Sequence, residues 1–316
     1  MSRIQRLFRV PAVLVLLVAG VGLPSTMAIA QNPPAAPSPI LPENALTRVS
    51  QHVYVIMGFP NIGIIVGNRA TLVVDTGMGP RNGATIVREV EKLAKSPNLF
   101  LTTTHFHPEH STGEPAFPAR TVLIRPAVQQ AELEKLLPKF IDLFASRTAL
   151  NKELLQDAKL RTPDILFDRE VKLDLGGVTA RLFWLGAAHT TGDELIFIQE
   201  DSVLLPGDIV ENKLVPSMPD EDASAKNWIA ILDQLEPLKP RFIVPDHGAL
   251  GDGSLIAQER AFLVDLQTRA LELKKQGKSV DEAGQLLMAE FAGKYSDWGS
   301  INAIPNAVRR VYAESQ

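Results

Sequence analysis

Three of the chain's six histidines fall within six residues, in the run His105-Phe-His107-Pro-Glu109-His110. A solvated surface rarely gathers half of a protein's imidazoles in this way, so the run points to a bound metal. Imidazole and carboxylate donors suit Zn²⁺ and also permit iron or manganese. Thiolate ligation and a disulfide framework are both excluded, because the chain has no cysteine. In an extended segment His105 and His107 point to the same side. Pro108 pushes His107 toward extended geometry and can begin a helix, which puts Glu109 and His110 on a first helical turn. Three further candidates each follow an apolar run. Leu182-Phe-Trp-Leu-Gly186 leads to His189, Ser202-Val-Leu-Leu-Pro206 to Asp208, and Phe242-Ile-Val-Pro245 to Asp246-His247. A side chain delivered to a loop by a buried strand is held accurately, as a catalytic metal requires. Asp246 reads as a turn residue, and His52 fits no pattern and reads as structural.

The elements that must position these residues are legible from periodicity. Residues 53–57 and 62–66 are β-rich runs joined by a hairpin-like break at 58–61. Residues 70–75 form a nearly all-apolar run, as a strand covered on both faces would be, and end at Asp75-Thr-Gly77. A helix fits 82–95, with Ile86, Val90 and Leu93 on one stripe. Residues 100–104 and 121–124 read as strands. Residues 126–160 read as helical, with Leu133, Leu137, Phe140, Ile141 and Phe144 on one face. Pro138 predicts a kink or break there. This face reads as core packing or as a roof over substrate. The tip at Met57-Gly-Phe-Pro60 reads as a flap or a buried turn. Strands return at 171–174, 178–185, 194–199, 202–205 and 241–244, with a helix at 224–235. Beyond 254 the chain reads as helical, and Ser279-Val-Asp-Glu282 is a capping box. Strands and helices thus alternate in two halves. This predicts an α/β protein whose two sheets pack together with helices outside.

Composition limits the partners. Hydrophobic residues make up 45% and charged residues 22%, a globular balance. Arg3, Arg6 and Arg9 precede a short apolar run, and Ala28-Ile29-Ala30 offers a cleavage site, the pattern of a secretory signal peptide. Those three arginines are the charged residues of 1–30, so cleavage takes the formal charge from -4 to -7. An acidic mature chain lacks the basic face that a nucleic-acid partner needs. The expectation is a periplasmic or secreted protein with a small-molecule substrate and no stable membrane span after cleavage. A Pro-rich spacer, extended or disordered, follows the signal segment.

The order Asp75, then His105, His107, Glu109 and His110, then His189, Asp208 and His247 resembles the metallo-β-lactamase superfamily. That family's pattern is Asp, His-x-His-x-Asp-His, His, Asp, His. The resemblance covers residues 50–250 and implies a four-layer αββα sandwich of two mixed sheets. The layout it implies is a signal peptide over 1–30, a linker over 31–44, a catalytic domain over 45–254 and a helical extension over 255–316 packed on it. It further implies two zinc ions per chain, with iron or manganese as alternatives. One would be held by His105, His107 and His189, the other by Glu109, His110 and His247. Asp208 would bridge them, and Asp75 would hydrogen-bond the loop carrying the histidine cluster. Two such ions lower the pKa of a shared water and supply hydroxide for attack on a carbonyl carbon. Asp208 would orient that nucleophile and accept its proton. Glu109 departs from the family's Asp by one methylene. It either ligates from a shifted backbone, leaves the second site weak, or swings between ligand and proton carrier.

Asp208 stands where the main β-lactamase subclasses have Cys, so the resemblance is better to thioesterase, lactonase and other hydrolase branches. Within these the chain is similar to glyoxalase II-like and quinoprotein-associated exported relatives. Its C-terminal third shows no basic cluster for a glutathione thioester, so glyoxalase II itself is disfavoured. The implied activity is metal-dependent hydrolysis of an ester, lactone, thioester or amide, β-lactams included. The alternatives are a mononuclear iron dioxygenase of the same fold and a metal-binding member without turnover.

Overall fold

The computed structural model describes residues 38–219 and 221–315. The expected signal peptide and residues 31–37 of the expected linker lie outside them. Among the described residues, two sheets form. The first runs in the order β1-β2-β3-β4-β5-β6-β7: β1 (Leu46–Arg48), β2 (Val53–Ile56), β3 (Ile62–Val66), β4 (Thr71–Val74), β5 (Leu99–Thr102), β6 (Val122–Pro126) and β7 (Ile165–Phe167). Its strands pair antiparallel as far as β4 and parallel beyond. The second sheet runs β12-β11-β10-β9-β8: β8 (Glu170–Asp174), β9 (Thr179–Trp184), β10 (Glu194–Ile198), β11 (Val203–Leu205) and β12 (Phe242–Ile243). It is antiparallel except for the β11–β12 pair.

Strand alternation explains the layering. In β3, Ile62, Ile64 and Val66 pack with Ile86 and Val90 of helix α1 (Gly79–Leu93). Ile65, between them, turns the other way and packs against Leu182, Ile196 and Leu205 of the second sheet. In β10, Ile196 and Ile198 face that same inter-sheet core. Leu195 and Phe197 face outward onto α5 (Ala225–Leu235) and α6 (Ser254–Lys275). Each fully buried side chain of this size is worth roughly 1.5–3 kcal/mol, and a one-residue slip would turn a whole set to the wrong face. The result is the expected sandwich of two mixed sheets flanked by helices. Helices α7 (Val280–Lys294) and α8 (Ile304–Glu314) complete the outer layer on the second sheet. Both halves of the Ser279/Glu282 capping box form.

Helices α2 (Pro108–Ser111), α3 (Ala127–Arg147) and α4 (Ala149–Leu155) lie in the first half of the chain. Helix α3 continues through Pro138, against the expected break. Leu133, Leu137, Phe140 and Phe144 anchor it on both sides of the proline. Pro138 and Glu134 are exposed, so the carbonyl that loses its partner sits where water can meet it. The helical run ends instead at Thr148, whose hydroxyl accepts from the Asn151 N–H and starts α4. Residues 38–44 are not a free spacer. Leu41 is buried, its N–H donates to Asn82 Oδ1, and Asn82 Nδ2 donates to the Pro39 carbonyl. The strands β1 and β7 had no clear alternation to announce them.

Candidate metal centre

The strands deliver the expected residues to one end of the sandwich. β5 ends at Thr102, and the chain runs extended to His107, which precedes the first turn of α2. His189 follows β9, Asp208 lies on the short turn after β11, and His247 follows β12. Gly207 has φ +63, a left-handed conformation, and a Cβ there would stand 3.0 Å from that of Thr104. Glycine therefore lets the Asp208 turn close onto the loop carrying the histidine cluster.

All seven side chains converge. His107 Nδ1 lies 3.0 Å from His105 Nε2 and 3.1 Å from His189 Nε2. Three nitrogens on a tetrahedral zinc, with Zn–N near 2.0–2.1 Å, would stand about 3.3 Å apart. Glu109, His110 and His247 form a second group, each offering one donor atom within 4.8 Å of the others. Asp208 stands between the groups. Its Oδ2 lies 3.4 Å from His189 Nε2 and 3.9 Å from His105 Nε2. Its Oδ1 lies 3.4 Å from His247 Nε2 and 4.0 Å from His110 Nε2.

The rings are held from behind. His189 Nδ1 lies 2.7 Å from the Ser217 carbonyl, which can only accept. That nitrogen must carry the proton, which turns the Nε2 lone pair toward the cluster. His110 Nδ1 lies 3.0 Å from Asp75 Oδ2 and 3.2 Å from Asp246 Oδ2, leaving Nε2 for the cluster. Asp75 Oδ1 accepts the Thr104 N–H at 2.7 Å, tying β4 to the histidine loop. Asp75 does this from φ +69, a left-handed conformation that Asp tolerates better than most residues.

Electrostatics follow from burial and crowding. Burial and the neighbouring imidazoles hold His105 well below its ordinary pKa, in the neutral form that ligation needs. Burial would raise the Asp208 carboxyl, but His247, His189 and His110 outweigh it and hold it below the usual range. Burial, then the Asp246 charge, push Asp75 up to about 8. Three buried atoms in this cluster have no hydrogen-bond partner: Glu109 Oε2, His110 Nε2 and Asp208 Oδ1. Each such atom costs about 1–3 kcal/mol if left unmet. Imidazole and carboxylate donors, converging and unmet, fit a divalent metal ion.

Three features escaped the sequence reading. Asp246 is not merely a turn residue. It is buried, accepts the Thr104 hydroxyl at 2.7 Å and backs His110. A carboxylate beside a histidine in a loop carries no signal of burial, because its partners lie more than a hundred residues away. Glu211 joins Asp208 and His247 in a further group of donors, and it accepts the His247 N–H at 3.2 Å. Burial, then Asp208, Asp246 and Glu259, push its carboxyl well above the usual range. The third feature is the roof. The α3 face packs as core, yet Phe140 also stacks on His107 at 5.0 Å. The hairpin tip supplies Phe59, 4.4 Å from the His247 ring. His52, by contrast, lies 2.8 Å from Asp201 and away from the cluster, a structural role.

A cavity of about 1080 Å³ opens over the cluster between α3, the 57–59 tip and residues 214–219. Ser300, Asn302 and Ala303 close another side. They are brought there by the Val215 N–H donating to the Gly299 carbonyl at 3.1 Å.

A sandwich of this kind, gathering histidines and aspartates at the open end of its sheets, defines a metal-dependent hydrolase. The family model of the metallo-beta-lactamase superfamily matches residues 55–247, and the chain belongs to that superfamily. The metallo-beta-lactamase type 2 of Bacteroides fragilis is 21% identical over 225 residues, 67% of this chain and 82% of that protein. A metallo-beta-lactamase from Pontibacter korlensis shares the fold with a TM-score of 0.54 at 19% identity, covering 70% of this chain and 98% of that one. A stereoselective inverting sec-alkylsulfatase from Pseudomonas sp. superposes with a TM-score of 0.68 at 18% identity. That match covers 85% of this chain and 50% of the sulfatase, so the chain spans about half of that enzyme.

Proposed function

We propose that this protein is an exported hydrolase that holds two zinc ions and cleaves an ester, lactone, thioester or amide carbonyl, β-lactams included. The observation that carries this reading is the Asp208 carboxylate, whose two oxygens face two different histidine pairs. His105, His107 and His189 hold one ion, and Glu109, His110 and His247 the other. Asp208 lies between them, and Asp75 fixes the loop behind. Bound there, the ions supply a water activated toward hydroxide and a Lewis acid for the oxygen that gains charge. The protein's own share is position. Asp208 orients the attacking water and accepts its proton. Phe140, Phe59 and Met57 exclude bulk water from the site. The water oxygen bonds to the carbonyl carbon, the bond to the leaving atom breaks, and the proton ends on the leaving group. A small molecule fits the cavity, and the charge of the mature chain disfavours nucleic acid.

Metal content tests the assignment. Protein produced with ample zinc is expected to carry about two ions per chain by elemental analysis. Glu109→Asp shortens the arm by one methylene, so content should fall toward one and turnover should slow. Equal content with equal or higher activity would remove Glu109 from the ligand set. Stoichiometric iron with oxygen uptake would overturn the hydrolase reading in favour of an oxygenase of the same fold.

Export rests on Arg3, Arg6 and Arg9, the short apolar run and Ala28-Ile29-Ala30. The mature chain is expected to begin near Gln31, and intact-mass measurement on the native exported fraction checks this. A full-length mass there would end the cleavage claim. Among the described residues, no helix is long and apolar enough to cross a membrane.

A further inference from the structure

The cavity carries its own charge pattern. Its acidic lining residues, Glu109, Asp208 and Glu211, lie in or beside the donor cluster at the floor. Away from the floor the lining is mainly apolar, with Phe140, Leu143 and Phe144 on α3 facing Met57 and Leu214. The charged side chains there are Lys139 and Arg147, both on α3 and both exposed. Among the described residues neither has a carboxylate within ion-pair distance. Other exposed arginines of this chain do, including Arg69, Arg81, Arg88, Arg260 and Arg309. Arg147 instead lies over the Phe144 ring, its guanidinium carbon 3.6 Å from the centroid.

Helix geometry sets the spacing. Phe140, Phe144 and Arg147 lie at i, i+4 and i+7 and share one face. Phe140 stacks on His107 at the floor, and the Phe144 ring is 6.3 Å from that imidazole. Together with the guanidinium–ring separation, this puts Arg147 within about 10 Å of the His107 ring. The path between them runs along aromatic surface. A guanidinium stacked on a ring keeps its donors free at the edge, in a planar fork suited to carboxylate, sulfonate or phosphate.

We propose that the substrate is an amphiphilic anion. Its hydrolysable carbonyl sits at the floor, an apolar segment lies along Phe140, Leu143 and Phe144, and its distal anionic group is held by Arg147, with Lys139 adding positive potential. This rests on the hydrolase reading of the same site and names the substrate class within it. The anion concerned is remote from the bond that breaks, so Arg147 sets specificity and takes no part in the chemistry.

A matched pair of esters tests it: p-nitrophenyl nonanoate and the mono-p-nitrophenyl ester of nonanedioic acid, both below their aggregation limits. The second carries a carboxylate about 10 Å from its ester carbonyl, given carbon–carbon bonds near 1.5 Å. The zinc-loaded protein is expected to prefer the anionic ester by about tenfold in kcat/KM, chiefly through KM, since an exposed charge pair adds modest binding. Arg147→Gln should shrink that preference about fivefold, and Arg147→Lys should keep part of it. One molar NaCl should compress it as well. Equal kcat/KM for the two esters, or a preference untouched by Arg147→Gln, overturns the proposal. A merely structural Arg147 would move both esters together and leave their ratio alone. Binding provides a readout free of turnover. Octane-1-sulfonate, a weak metal ligand, should bind in calorimetry more tightly than 1-octanol, and Arg147→Gln should weaken it about fivefold. If neither ester is turned over while this binding difference holds, the carbonyl-hydrolase reading fails and the anion site stands. Equal binding of sulfonate and alcohol overturns the anion site whatever the turnover.

Discussion

Asp208→Ala is expected to lower hydrolysis by about 10²- to 10⁴-fold, the range that removal of a positioned acid–base group spans. The variant removes the carboxylate that faces both histidine pairs at 3.4 Å and the group that orients the attacking water. Positioning and activation act as one unit, so the loss should fall on kcat rather than be recovered at high substrate. Asp208→Asn separates the roles. It keeps the shape and one acceptor oxygen but cannot take the proton, so it should retain more metal than Asp208→Ala while remaining slow. Metal content and turnover must be measured on the same preparations. Full activity in Asp208→Ala with both ions retained would show that the carboxylate has been given the wrong role.

Asp75→Asn is expected to weaken binding of the ion held by Glu109, His110 and His247 by about 10- to 100-fold, as loss of the group behind a metal-bound imidazole does. Asp75 Oδ1 accepts the Thr104 N–H and Oδ2 faces His110 Nδ1. An amide has one acceptor, so one of these two donors is left unmet in a fully buried position, at about 1–3 kcal/mol. Asn tolerates the left-handed backbone at φ +69 nearly as well as Asp, which separates this loss from backbone strain. Chelator competition reads the affinity, and thermal melting of zinc-free protein reads the structural cost. Unchanged affinity alongside a lowered melting temperature would assign Asp75 to the fold alone.

Much of the centre was legible because its signals are local. His105, His107, Glu109 and His110 stand in six consecutive residues, so backbone geometry alone aims them together. His189, Asp208 and His247 each follow an apolar run, and a buried strand ends where its apolar run ends. The alternation in β3 and β10 likewise reports two covered faces, which is enough to ask for two sheets with helices outside. The Ser279/Glu282 box needs only a three-residue spacing, and it forms.

What the tertiary structure decided depends on distance in the chain. Asp246 looks like any turn residue until the Thr104 hydroxyl, 142 positions away, is placed at 2.7 Å from its carboxylate. Glu211 gains its role when its turn folds beneath His247. Pro138 is tolerated inside α3 because packing on both sides outweighs one lost hydrogen bond, and no local rule carries that balance. The apolar stripe of α3 announced a buried face, but periodicity does not say what the face buries. Only the packed fold shows that Phe140 lies against His107 and that Arg147 stands unpaired at the far end of the same face. Spacing along the sequence determined which donors this protein has and how its strands alternate. The packing of distant segments decided what backs those donors, what roofs them and which charge a substrate meets on the way in.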